Sequence, residues 1–166
     1  MATLHASSTP LTIHGSSGAL HGQAVLLLGR PGAGKSDLLL RLLDRGFELV
    51  ADDQVIIEAG LISPPAALAG LIEVRGLGLL RMAYVAPVPL LLVVALDNVA
   101  EHERRTEQPS DRGTARLPTP GHHAGLGVPM IRTEPFHASA PLRVEIALDC
   151  LAGRRSLSCG GLSPSQ

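Results

Sequence analysis

The stretch Val25-Leu26-Leu27-Leu28-Gly29-Arg30-Pro31-Gly32-Ala33-Gly34-Lys35-Ser36 constrains this chain more than any other. Val25 to Leu28 form an apolar run of strand length that enters a glycine-rich turn. The turn opens an amphipathic segment, Asp37 to Leu43, whose spacing predicts a helix. Gly29, Gly34, Lys35 and Ser36 satisfy G-x-x-x-x-G-K-[ST], in the strand–loop–helix context that the motif needs. Glycines permit the positive φ with which backbone N–H groups curl around phosphate oxygens. The helix N-terminus adds partial positive charge. Gly29, Arg30, Pro31, Gly32, Ala33, Gly34, Lys35 and Ser36 are therefore the candidate nucleotide-phosphate cradle. Lys35, the single lysine of the chain, is placed to reach β- and γ-phosphates, and the Ser36 hydroxyl to ligate Mg²⁺.

The rest of the chain must supply a fold around that loop. A length of 166 residues predicts one domain, expected to run from 11 to 152 between a flexible N-terminus (1–10) and a flexible tail (153–166). An apolar fraction of 45% suffices for a core, which must be aliphatic because aromatics are only 2%. Net charge of −1 argues against a broad basic face for nucleic acid, and the scarcity of aromatics against base-stacking platforms. Cys150 and Cys159 form no metal-ligand spacing and read as unpaired reduced thiols. Met1 to Pro10 lacks a signal-peptide pattern, and the apolar run Pro87–Leu96 is far short of the roughly 20 residues that span a bilayer. A soluble cytoplasmic protein is expected.

In chain order, Leu11 to His14 predicts a short strand and Gly15 to Gly18 a loop, with His21-Gly22 a turn between adjacent strands. Arg45-Gly46 gives the helix a basic last turn and a glycine stop. Phe47 to Ala51 predicts a second strand, ending in Asp52-Asp53. Paired carboxylates there suit proton exchange, with Mg²⁺ opposing the rise in pKa that like charges cause. Gln54–Glu58 and Leu61–Ser63 flank Ala59-Gly60 as a hairpin, so the sheet is expected to be mixed. In Leu71 to Leu80, Glu73 and Arg75 sit in an apolar segment with two glycines, and each is expected to need a partner, an ion or water. Pro89 to Leu96 is a strand-length run ending in Asp97, and it competes with Asp52-Asp53 as the metal-side acid. Asn98 to Leu126 shows no periodicity. Val128–Arg132 predicts a strand and Pro141–Leu151 a closing helix.

Taken together, Ile13-His14-Gly15, the loop Gly29–Ser36, Leu49-Val50-Ala51-Asp52-Asp53 and Ile72-Glu73-Val74-Arg75-Gly76-Leu77-Gly78-Leu79-Leu80 resemble the catalytic domain of HPr kinase/phosphorylase, in order and spacing. The resemblance runs from about Leu11 to Leu80, and E-V-R-G-L-G is its most specific part. It implies an α/β P-loop kinase domain with a mixed sheet flanked by helices. It implies an ATP- and Mg²⁺-dependent serine kinase acting on an HPr-type phosphocarrier of the bacterial phosphotransferase system. Asp53 would be the base that takes the serine proton, with His14 and Lys35 completing the catalytic group. Ser36 and Glu73 would hold Mg²⁺, and Asp52 would support the metal or Asp53. The family's later catalytic arginine would fall on Arg116, with Arg104, Arg105 and Arg112 as rivals.

The resemblance also implies a homo-oligomer, a hexamer in this family, and the short form without the N-terminal domain. The segment associated with dephosphorylation has no counterpart in Pro129-Met130-Ile131-Arg132-Thr133-Glu134, so the kinase direction is carried further than phosphorolysis. Two other classes fit the loop. One is a small-molecule P-loop kinase, for which E-V-R-G-L-G has no role. The other is a nucleotide-dependent regulatory module without turnover, against which Asp53, Lys35 and Ser36 stand.

Overall fold

A computed structural model describes residues 9–96, 121–158 and 162. Its elements are β1 (Leu11–His14), β2 (Ser16–Leu20), β3 (Gln23–Leu28), α1 (Lys35–Asp44), β4 (Glu48–Ala51), β5 (Gln54–Glu58) and β6 (Leu61–Ser63). They continue as β7 (Leu71–Val74), β8 (Gly78–Arg81), β9 (Val88–Leu96), β10 (Gly121–His123), β11 (Val128–Thr133) and α2 (Ala140–Leu151). Nine strands share one sheet in the order β1-β5-β6-β9-β3-β2-β4, with β11 joining the C-terminal half of β9 and β10 pairing β11. The sheet is mixed: β3, β9 and β11 run parallel, and the other pairings are antiparallel.

The sequence dictates which strands are buried on both faces. β3 and β9 are near-continuous aliphatic runs, and they form the parallel centre, as strands covered on both faces must. On one face Val25, Leu27, Leu92 and Val94 pack under α1 and α2, through Leu38, Leu39, Leu42, Val144 and Leu148. On the other, Leu26 and Val93 pack with Val55, Ile57 and Ile62 of the antiparallel strands. Both described α-helices therefore cover the same face. The parallel trio points its carboxyl ends one way, and the loop Gly29–Ser36 emerges there.

One expectation is corrected. Gly15–Gly18 is not a loop: Ser16 to Gly18 belong to β2, buried between β3 and β4. Hydroxyls inside a sheet need internal acceptors. Ser17 Oγ donates to the Val25 carbonyl (2.8 Å) and Ser16 Oγ to Asp52 (2.7 Å). Gly18 is small because α1 is close; a Cβ there would lie 3.1 Å from Leu39 Cδ1. Glu73 and Arg75, each expected to need a partner, an ion or water, are both exposed to water on the two-stranded hairpin β7–β8, turned by Gly76 at φ 82°. Within 98–126, residues 121–123 form β10; Asp97 and Asn98 to Pro120 lie outside the described residues.

Candidate active site

The loop from β3 to α1 takes positive φ at Gly32 (79°) and Gly34 (96°), where a side chain would be strained. Lys35 Nζ donates to the carbonyls of Gly29 (2.8 Å) and Arg30 (3.0 Å), which holds the loop closed on itself. An ammonium has three donors, so one remains for an anion in the cradle. Ser36, in the first turn of α1, donates to Asp52 Oδ1 at 2.9 Å, with Oδ2 at 3.1 Å.

Asp52 is the hub. The residue is 5% exposed, and its carboxylate also accepts from Ser16 Oγ and the Glu73 backbone N–H (3.0 Å). It thereby ties together β2, α1, the end of β4 and β7. All these donors are neutral, and among the described residues no cation pairs with it.

Asp53 is held differently. Its φ is 71°, and the Gln54 N–H donates back to the Asp52 carbonyl at 2.9 Å. A bond from residue i+2 to i with positive φ between them is a γ-turn of the rare, strained kind. Strain of this sort persists where the surroundings over-determine it, often at functional positions. The neighbouring strand helps: the Gly15 N–H donates to the Asp53 carbonyl at 3.1 Å. The result is one aspartate turned in and its successor turned out to solvent. His14, exposed at the end of β1, lies opposite Gln54 in the β1–β5 register, beside this turn.

Ser36, Asp52, Asp53 and Glu73 share a cleft of about 390 Å³, walled by Leu71 and Leu79. A larger groove of about 590 Å³, between Glu58–Ser63 and Tyr84–Pro87, offers only Glu58 and Tyr84 as titratable groups. The chemistry lies in the smaller one. Its donors are all oxygens, a hydroxyl and three carboxylates, which is the set that Mg²⁺ accepts, usually with several waters retained. Ser36 gives its proton to Asp52 and keeps its lone pairs free, so the residues present fit that cation. Among the described residues no cluster of three or more His, Cys, Asp and Glu forms an all-protein metal cage.

The structure thus brings together Ser36, Asp52, Asp53 and Glu73, with Lys35 in the adjoining loop and His14 beside the Asp53 turn. Arg116 and its rivals Arg104, Arg105 and Arg112 lie outside the described residues. Sequence reasoning missed Ser16, whose only signal was a small polar residue in a strand-length gap. It also missed the Thr133–Ser139 segment, which reaches the loop only through the tertiary fold.

A parallel strand, a phosphate loop closing onto a helix, and an acid pair at the end of β4, one strand removed from β3, define a phosphate-loop α/β domain of the kinase type. The family model of the HPr Serine kinase C-terminal domain matches residues 6–86. The HPr kinase/phosphorylase of Aromatoleum aromaticum is 33% identical over 168 aligned positions, covering 96% of this chain and 52% of that protein. That of Caldicellulosiruptor bescii is 42% identical over 81 residues, covering 46% of this chain and 26% of its own length. The Hpr(Ser) kinase/phosphatase structure from Coxiella burnetii superposes with a TM-score of 0.60 at 27% identity, covering 82% of this chain and 87% of that one. The chain thus matches the HPr Serine kinase C-terminal domain over residues 6–86 and is similar to HPr kinase/phosphorylases beyond it, and it spans about half the length of the first of these relatives.

Proposed function

We propose that this chain transfers the γ-phosphoryl group of ATP, with Mg²⁺, to a serine of an HPr-type phosphocarrier. The observation that carries the reading is the Asp52-Asp53 turn, which turns Asp53 out to solvent at the cleft shared with Ser36 and Glu73. Phosphoryl transfer asks for positioning and charge neutralisation more than covalent chemistry. In this reading the loop amides and Lys35 position the β- and γ-phosphates. Ser36 and Glu73 hold Mg²⁺, and Asp52 fixes Ser36 by accepting its proton. The cation, when bound, neutralises charge developing on the transferred group. Asp53 Oδ takes the proton of the attacking serine hydroxyl, with His14 beside it and Arg116 contributing from the segment after β9.

The relatives are also named for phosphorylase and phosphatase activities, and the reverse use of Asp53, as an acid, would follow from the same geometry. The reading extends to a cytoplasmic homo-oligomer, hexameric as the resemblance implies. No described helix is long and apolar enough to cross a membrane. The test is transfer of labelled γ-phosphate to purified HPr-type carriers with Mg²⁺. Label on a carrier serine, lost with Asp53→Asn, is the expected result. Tight ATP binding without transfer to any carrier would refute the protein-kinase reading and favour a regulatory module or a small-molecule kinase.

A further inference from the structure

The proposed chemistry engages only the phosphate end of the nucleotide. The chain has three aromatic residues, Phe47, Tyr84 and Phe136, and they are used unequally. Phe47 is buried under α1 and Tyr84 lies against Gly70. Phe136 is 60% exposed, although it sits on the phosphate loop. A Cβ built on Gly34 would meet Phe136 Cζ at 2.9 Å and Cε1 at 3.1 Å. The edge of the ring therefore rests on the residue before Lys35, and the rest of the ring stands in solvent.

The mount is fixed on both sides. Arg41 of α1 donates to the carbonyl of Pro135 and, at 3.4 Å, to that of His137. Pro135 is itself buried, and the Ser139 N–H donates to His137 Nδ1 at 3.2 Å. The segment leaves the carboxyl end of β11, which runs parallel to β9 as β9 does to β3. It therefore rises beside the phosphate loop, in the crevice outside the carboxyl ends of parallel strands where open α/β sheets take their ligands. Hydrophobic side chains avoid water unless something covers them. A rigid aromatic face, anchored at the edge of a phosphate cradle, suits a flat heterocycle.

We infer that Phe136 is the nucleobase platform of this site, stacking on the base of the nucleotide whose phosphates the loop holds. The inference rests on the proposed nucleotide reading. A phenyl ring reads no hydrogen-bond pattern, so the platform takes adenine and guanine alike, as stacking surfaces do.

The experiment measures Kd by calorimetry for Mg·ATP, Mg·GTP and Mg·tripolyphosphate on the whole chain, with thermal melts to confirm folding. Phe136→Ala is expected to weaken both nucleotides by roughly tenfold while leaving tripolyphosphate unchanged. Phe136→Trp restores or tightens nucleotide binding. Equal losses for nucleotide and tripolyphosphate would mean that the ring only shapes the loop, and would overturn the inference. So would unchanged nucleotide affinity with a raised KM for the carrier, which would turn the ring toward the protein substrate. A wild-type chain that binds neither nucleotide nor tripolyphosphate would sink the nucleotide reading as well, and is distinguishable from both.

Discussion

Asp52 and Asp149 are the buried carboxylates of the described core, at 5% and 7% exposure, and they are satisfied in opposite ways. Asp149, near the end of α2, receives two guanidinium groups: Arg154 Nε on Oδ1 (2.7 Å) and Arg155 Nε on Oδ2 (2.9 Å). Its backbone carbonyl also accepts the N–H groups of both arginines, at 2.8 and 3.2 Å. Charge meets charge, and the chain beyond α2 is tied down. Asp52 receives two serine hydroxyls and one backbone N–H, all neutral. Neutral donors satisfy its lone pairs without cancelling its charge. Burying a charge is costly without an opposite one, and among the described residues no cation meets Asp52, which is what the proposed Mg²⁺ site would require. One carboxylate ties down the chain beyond α2, and the other, in the proposed reading, serves the site.

If that contrast is right, the largest effect belongs to neither buried acid but to the exposed neighbour of Asp52. Asp53→Asn should lower phosphoryl transfer by about 10²–10⁴-fold, the usual range for a lost general base, with ATP affinity and melting temperature unchanged. A residual rate within a few-fold of wild type would take the proton-accepting role from Asp53.

Asp52→Asn comes next and should damage both activity and fold. The carboxylate accepts from Ser16, Ser36 and the Glu73 N–H through two oxygens. An asparagine amide presents one acceptor, and its NH₂ would face donors. Leaving a buried donor unpaired costs about 1–3 kcal/mol. The expected outcome is that loss in denaturant unfolding, together with a raised Mg²⁺ requirement for transfer. Normal stability would show that the hub is not structural, and an unchanged Mg²⁺ titration that it does not serve the cation.

The same contrast separates what the sequence discloses from what it hides. The Gly29–Ser36 loop, its strand and α1 were legible because local pattern suffices: an apolar run, glycines at fixed offsets, then helical periodicity. The hairpin β5–β6 was legible through Ala59-Gly60, which take φ of 50° and 78° as the turn requires. Strand β2 was not, because Ser16-Ser17-Gly18 has loop composition, and the bond that makes it core runs from Ser16 to Asp52, 36 residues away. The turn at Asp53 was hidden too, since aspartate tolerates positive φ without announcing it. In hairpin β7–β8 the apolar residues did not tell which of partner, ion or water meets Glu73 and Arg75, since Leu77, Leu79 and Leu80 are themselves exposed. Past residue 86 the family model ends, and the approach of Phe136 to Gly34 comes from parallel pairing that no local pattern encodes.

Asp149→Asn gives the smallest effect and the cleanest control. The Arg154 hydrogen bond, more than any other influence, holds the Asp149 carboxyl below its ordinary 3.8; Arg155 adds to this, and burial opposes both. A depressed folded-state pKa contributes stability that is complete above the unfolded value and disappears as pH falls through the folded one. The arginines do not titrate in this range. Because Arg154 and Arg155 are 31% and 50% exposed, solvent screens the pair, and the loss at neutral pH should be about 1–2 kcal/mol. The gap in stability between wild type and Asp149→Asn should hold steady at neutral pH and narrow as pH falls below about 4. Phosphoryl transfer, assayed at neutral pH, should be unaffected. A gap that persisted unchanged into strong acid would mean that the arginines serve packing and not charge. A loss of transfer in a folded Asp149→Asn chain would break the comparison itself, because it would make the second buried carboxylate part of the site rather than of its frame.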